Sequence, residues 1–250
     1  MMTSARDFLD LPHKAVTFMG MSGVGKTYLS GLLEQWGWAR VSCDFEIGRH
    51  YLAQHLPRPM ESADDIGVLS DFIGKPGRGA LPFEEYKRRQ RLYYEAECAA
   101  VRGAAASALQ MDRHYVHDST GSLCEIMDEA VLEEIGAATL FVYLKASPAE
   151  EALVLERAKL HPKPLFFPPG KLDEWVAEYL GLKGLSSPDE MDPDDYSRWV
   201  FPKLFAARLP KYQWLADRYG VTLESASLHG VTDESDFIGR VAGALSRAAA

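Results

Sequence analysis

The stretch AVTFMGMSGVGKT, residues 15–27, decides the fold. Its first five residues are apolar and β-branched, as a buried strand requires. Gly20-Met21-Ser22-Gly23-Val24-Gly25-Lys26-Thr27 then matches the pattern GxxxxGK[ST], and an amphipathic stretch to about Trp36 follows. Strand, glycine-rich loop and helix in that order make an anion cradle. Glycine lets successive backbone N–H groups turn inward, and the new helix adds its positive N-terminal end. In this pattern the lysine reaches the β- and γ-phosphates of a nucleotide, and the Thr27 hydroxyl ligates Mg²⁺. Gly20, Ser22, Gly23, Val24, Gly25, Lys26, Thr27 and the neighbouring Tyr28 are therefore the expected nucleotide contacts.

The same alternation continues outward. Further strands are expected at Ala39–Ser42, His114–Asp118, Thr139–Leu144 and Val221–Glu224, with helices between them. The run TLFVYL suits a parallel strand covered on both faces. A helix from about Pro82 to Gln110 carries Glu84/Arg88, Glu85/Arg89 and Arg91/Glu95 at i,i+4 spacing. Another opens at Ser147-Pro148-Ala149-Glu150, where a serine cap, a proline at the first helical position and a glutamate form a capping box. The last helix starts near Thr232. The expected fold class is α/β: a three-layer α/β/α P-loop domain over residues 1–250, with a five-stranded parallel sheet. Two segments interrupt it. Pro57–Ala80, rich in proline and glycine, reads as an inserted loop. Residues 157–195 read as a lid with an acidic loop, because His161–Gly170 holds four prolines and Pro188–Asp195 holds five acids.

Composition excludes several classes. The 250 residues carry 27 Lys and Arg against 36 Asp and Glu, a net charge of −9, which disfavours a non-specific nucleic-acid binder. The longest strongly apolar stretch, Ala137–Leu144, is too short for a membrane span, and the N-terminal residues have no apolar signal core. Three scattered cysteines give no disulfide framework, so a cytoplasmic location is expected. Oligomeric state stays open.

Ligands of a parallel sheet lie beyond the carboxyl ends of its strands. Asp44 follows the second expected strand and Asp118 ends the third. A carboxylate there can take the proton of an attacking hydroxyl or hold Mg²⁺ through water. Each also has a plainer reading, Asp44 as N-cap of a helix Phe45–His55 and Asp118 as a turn or cap residue. Arg157, Lys159, Lys163 and Lys171 lie in a stretch without a single acid, a locally positive segment in an acidic chain.

These residues resemble the shikimate kinase family within the P-loop kinase fold. The likeness is piecewise from Gly20 to Glu224. The GMSGVGKT loop is typical of the family. Ser42-Cys43-Asp44-Phe45-Glu46-Ile47 is similar to its DxDxxI segment, with Asp44 where the family binds acceptor hydroxyls and Ser42 where it has a magnesium-organising aspartate. That departure shifts the metal to Thr27 and Asp118. The family's glycine-rich turn after strand three is reduced to Ser119-Thr120-Gly121-Ser122. Arg157 and Lys163-Pro164-Leu165 are similar to the lid pattern R…RPL, with lysine in place of an arginine. Arg208-Leu209-Pro210-Lys211-Tyr212 resembles R-x-P-x-Y, whose arginine grips an anionic group.

The resemblance implies an enzyme, an ATP-dependent phosphotransferase using Mg²⁺ and acting on a hydroxyl of a small acidic metabolite. Lys26, Asp44 and Lys163 would be catalytic. Asp44, Gly121, Arg208, Arg88 and Arg91 would bind the acceptor, the last two with helix partners that already account for them. The inserts argue against shikimate itself. A regulatory P-loop ATPase with a protein partner, and a nucleoside or nucleotide kinase, share the fold.

Overall fold

The computed structural model describes residues 4–168 and 170–248; Pro169, one of the four prolines of the expected lid, lies outside them. Helix α1 (Ala5–Asp10) precedes strand β1 (Ala15–Met19), and helix α2 (Lys26–Gln35) leads to β2 (Ala39–Ser42). Helices α3 (Cys43–Glu46), α4 (Ile66–Ile73) and α5 (Phe83–Gln110) follow, then β3 (Tyr115–Asp118), α6 (Glu129–Ala138) and β4 (Leu140–Lys145). Helices α7 (Pro148–Leu160), α8 (Lys171–Lys183) and α9 (Pro193–Tyr219) come before β5 (Gly220–Glu224) and α10 (Glu234–Ala248). Among the described residues no helix is long and apolar enough to cross a membrane.

The five strands form one parallel sheet in the order β2-β3-β1-β4-β5. The expected α/β class and strand count hold, each boundary within a residue. Since β1 lies between β3 and β4, the chain changes direction across the sheet beside it. The carboxyl end of β1 is thus the switch point where such folds bind ligands.

The chain divides into two compact units, residues 1–43, 98–151 and 209–250, and residues 44–97 and 152–208. In the first, one sheet face supplies Val16, Phe18, Val116, Val142 and Leu144 to a core closed by Phe8 of α1, Leu29 and Leu33 of α2, and Phe237 and Val241 of α10. The other face packs Phe141 on Tyr219 and Tyr143 on Tyr212, and Tyr115 donates to the Ala104 carbonyl of α5. Helices therefore cover both faces, as the three-layer expectation requires. In the second unit an aromatic core gathers Tyr86, Phe167, Trp175, Tyr179 and Tyr196.

Three local expectations change. Residues 57–80 are not all loop: a short helical turn over Ala63–Asp65, capped by Ser62, runs into α4, whose Val68, Leu69 and Phe72 are buried. The Pro and Gly content around it hid an eight-residue apolar helix. The acidic stretch 188–195 is a helical turn (Pro188–Glu190) and the start of α9, where Asp194 and Asp195 favour the helix's positive end. Residues 45–55 do not form one helix: α3 gives way to a wider five-residue turn at Ile47–Tyr51 and a tight one at Ala53–His55.

The sheet also buries a polar chain. Thr139 Oγ1 donates to the Ile135 carbonyl at 3.0 Å, so the hydroxyl of Thr17, 2.7 Å away, must donate to Thr139. Thr17 can then only accept from His117 Nδ1, at 3.3 Å. His117 Nε2 is left as a buried lone pair without a hydrogen-bond partner among the described residues. Burial lowers the His117 pKa from 6.5 to about 4, against the weaker pull of Asp118. A folded-state pKa below the unfolded one means that stability is complete above pH 6.5 and lost as pH falls toward 4. The loss is about 1.4 kcal/mol per pH unit. Denaturant unfolding from pH 7 to 4.5 should reveal it, and His117→Asn, which keeps a donor toward Thr17 but cannot titrate, should flatten that part of the curve.

Candidate functional site

Gly20 opens the loop with φ 145°, and a Cβ there would stand 2.7 Å from the Leu144 carbonyl oxygen of β4. Gly25 has φ 97° and is the N-cap of α2, with no side chain capping the first turn. A β-carbon would be strained at either position. Gly25 offers the first turn of α2 no side-chain cap, which suits an anion at the helix's positive end. Ser22, Gly23 and Thr27 are exposed, and Tyr28 is 70% exposed. Lys26 is buried and folds back over its own loop, its Nζ donating to the Gly20 carbonyl at 2.8 Å and the Met21 carbonyl at 3.2 Å. Its ammonium is satisfied by loop oxygens that phosphate oxygens can replace.

Asp118 ends β3 in register with Phe18 of β1 and Ser42 of β2. It caps no helix. Its Oδ2 accepts from Ser30 Oγ of α2 at 3.0 Å and from Arg40 Nη2 of β2 at 3.0 Å. Arg40 also reaches Glu34 of α2 at 3.4 Å. Neither Ser30 nor Arg40 engages Oδ1. Asp118 thus lies at the same level as Ser42, one strand over.

The turn after β3 is stitched to the loop. Ser119 Oγ donates to the Phe18 carbonyl at 2.6 Å, and Thr120 Oγ1 accepts from the Ser122 amide at 3.1 Å. A Cβ on Gly121 would lie 3.4 Å from Ser22 N. The Tyr212 hydroxyl donates to the Gly121 carbonyl, and Lys211 pairs with the buried Glu125. Gly20–Thr27, Asp118 and Gly121, all expected site residues, therefore meet in the first unit.

Tyr28 also lies in the first unit, and the other expected residues belong to the second. Asp44 is half-buried inside the first turn of α3, not its N-cap. Arg208 is buried and donates to the Phe166 carbonyl at 2.9 Å. The segment 162–168, which carries the exposed Lys163, is strapped to α5: Tyr86 and Gln90 donate to the Leu165 carbonyl, and Gln90 accepts from the Phe167 amide at 2.9 Å. Arg157 is exposed, its Nε 3.3 Å from the Leu153 carbonyl. Arg88 pairs with Glu85 at i,i+3 instead of Glu84, and hydrogen bonds from Arg88 and Arg89 hold the Glu85 carboxyl down at about 2. Arg91 is exposed on the same helix.

Sequence reasoning missed Arg40, Ser30, Glu125 and the roles of Lys211 and Tyr212. Arg40 had a signal, since strand alternation puts it on the same face as Ser42, two residues on.

The donor set fits a magnesium-bound triphosphate: a helix start without a side-chain cap, a lysine whose ammonium donates to loop carbonyls, Thr27 at an exposed position and an Asp118 oxygen that neither Ser30 nor Arg40 claims. No family model matches the chain, and no curated protein does. Solved structures similar to it include a shikimate kinase from Bacteroides thetaiotaomicron, 12% identical over 77% of this chain and 98% of that one, with a TM-score of 0.36. A sugar kinase from Janibacter sp. HTCC2649 is 16% identical over 80% of this chain and 98% of that one, with a TM-score of 0.29.

Asp118 is 5% exposed and Arg40 15%, so this is a largely buried pair. Removing one partner of such a pair costs about 3–5 kcal/mol. Arg40→Met should lose stability on that scale in urea unfolding, and Arg40→Met combined with Asp118→Asn should recover part of it. A double variant that loses the sum of the Arg40→Met and Asp118→Asn losses would show that the two side chains do not depend on each other.

Proposed function

We propose that the chain is an ATP-dependent phosphotransferase acting on a hydroxyl of a small acidic metabolite. The observation that carries this reading is the glycine-rich loop at the switch point, which starts α2 without a side-chain cap while the adjacent strand β3 ends in Asp118. Phosphoryl transfer needs positioning and charge neutralisation more than covalent chemistry. The amides of residues 23–27 would hold the phosphate oxygens. Lys26 would leave the Gly20 and Met21 carbonyls for the β- and γ-phosphates. Thr27 would ligate Mg²⁺ and Asp118 would orient its water through Oδ1, Oδ2 being held by Ser30 and Arg40. Bound Mg²⁺ supplies charge neutralisation at the transferring phosphoryl group.

In this reading Asp44 orients or deprotonates the acceptor hydroxyl, and Arg208 grips the acceptor's acidic group, with Arg88, Arg91 and Gly121 as weaker contacts. Lys163 and Arg157 serve as lid cations. Lysine at 163 is a point charge, so it would steady the γ-phosphate without the two-pronged grip of an arginine. The order and spacing of the motifs support these roles; Arg208 is buried, with its Nη2 donating to the Phe166 carbonyl.

The test is transfer from γ-labelled ATP to a panel of hydroxy acids, acidic sugars and nucleosides. One phosphorylated acceptor per ADP is expected, with an acidic hydroxyl compound as the acceptor. Slow release of free phosphate with every acceptor would favour a regulatory ATPase, and nucleoside labelling a nucleoside kinase. Lys26→Ala should lower the rate at least about a hundredfold, the effect of removing one preorganised charge partner, with melting little changed. Undiminished turnover in that variant would refute the assignment.

A further inference from the structure

Two neighbouring residues of α9 grip the turn after β3 at both ends. Tyr212 holds the Gly121 carbonyl and Lys211 holds Glu125, whose side chain is fully buried. Tyr212 is itself fully buried, its ring stacked on Tyr143 of β4 at 5.3 Å and 19°. The stack fixes the ring, so the hydroxyl can place the Gly121 peptide with little freedom. Gly121 is in turn the residue that meets the phosphate loop, its Cβ position 3.4 Å from Ser22 N. Ser119 ties the base of the same turn to the Phe18 carbonyl, two residues before Gly20. The turn is thus a buttress for the loop, anchored below by β1 and from the side by α9.

We propose that Tyr212 is a positioning residue for the phosphate loop, its hydroxyl setting the turn 119–122 against Ser22 so that the loop amides keep the geometry of a nucleotide phosphate. The inference rests on the nucleotide-binding reading. It adds to that reading a residue outside the loop and a direction of control, from α9 through the turn to the cradle.

Tyr212→Phe removes one hydroxyl and leaves the ring, its burial and its stack. A hydrogen bond of ordinary strength is worth a factor of roughly 2–13 in a binding constant. Calorimetric titration of the full chain with ADP and with ATP, magnesium present, should give affinity roughly fivefold to tenfold weaker in Tyr212→Phe than in the parent, at a temperature well below both melting points. A purely structural hydroxyl would lower the melting temperature and leave those affinities equal, and that result would overturn the proposal. If Tyr212→Phe melts too low to titrate, Gly121→Val reports on the same contact, because it keeps the carbonyl and crowds Ser22; parent-like affinity in it would likewise overturn the proposal. A parent chain that binds neither nucleotide would instead sink the nucleotide reading itself, a failure seen before any variant is made.

Discussion

The first unit is organised around a glycine-rich loop that starts α2 without a side-chain cap. That is a costly arrangement, since helix-end amides ordinarily find a side-chain or water partner. Here the backbone secures it with Gly25 in the left-handed region, and with Gly20 so close to β4 that a methyl group would strike the Leu144 carbonyl. The sheet order supplies the rest. With β1 between β3 and β4, the loop leaves the sheet at its switch point, and the end of β3 is alongside it.

Around that cradle the charges are compensated inside the protein. Lys26 is held by carbonyls of its own loop, and Asp118 by Arg40 and Ser30. An uncompensated buried charge would be expensive. The two opposite charges that a metal-bound phosphate needs can therefore be stored in the folded chain. Lys26 Nζ donates to the Gly20 and Met21 carbonyls, and neither Ser30 nor Arg40 claims the carboxylate's second oxygen. Ser42, in register with Asp118, makes the same point by contrast. An acid, Asp118, stands at the matching level of the adjacent strand.

The fold was legible because its signals are local. TLFVYL could only be a covered strand, the capping box at Ser147–Glu150 forms with both of its hydrogen bonds, and GMSGVGKT places a helix start to within a residue. Asp118 was legible as the end of a strand. Its partner Arg40 was not, because the pairing depends on which strand lies beside which: the chain passes from β1 to the sheet edge at β2 and only later fills the gap between them with β3. Tyr212 was visible as part of a motif, yet its bond to Gly121 spans 91 positions in the chain. The helix α4 was missed because prolines and glycines on both sides outweighed eight apolar-rich residues. Asp44 was chosen for its place after a strand and Arg208 through the family resemblance, and geometry in the second unit gives one a half-buried place in a helical turn and the other a backbone anchor.

The most direct measurement is a crystal structure of the chain with magnesium and a non-hydrolysable ATP analogue. The expected map shows a triphosphate on the amides of residues 23–27, with Lys26 Nζ moved from the Gly20 carbonyl to the β- and γ-phosphates and the metal beside Thr27 and Asp118. A bare loop at saturating analogue, or a nucleotide seated elsewhere with Lys26 still folded onto its own carbonyls, would contradict the phosphate-cradle assignment.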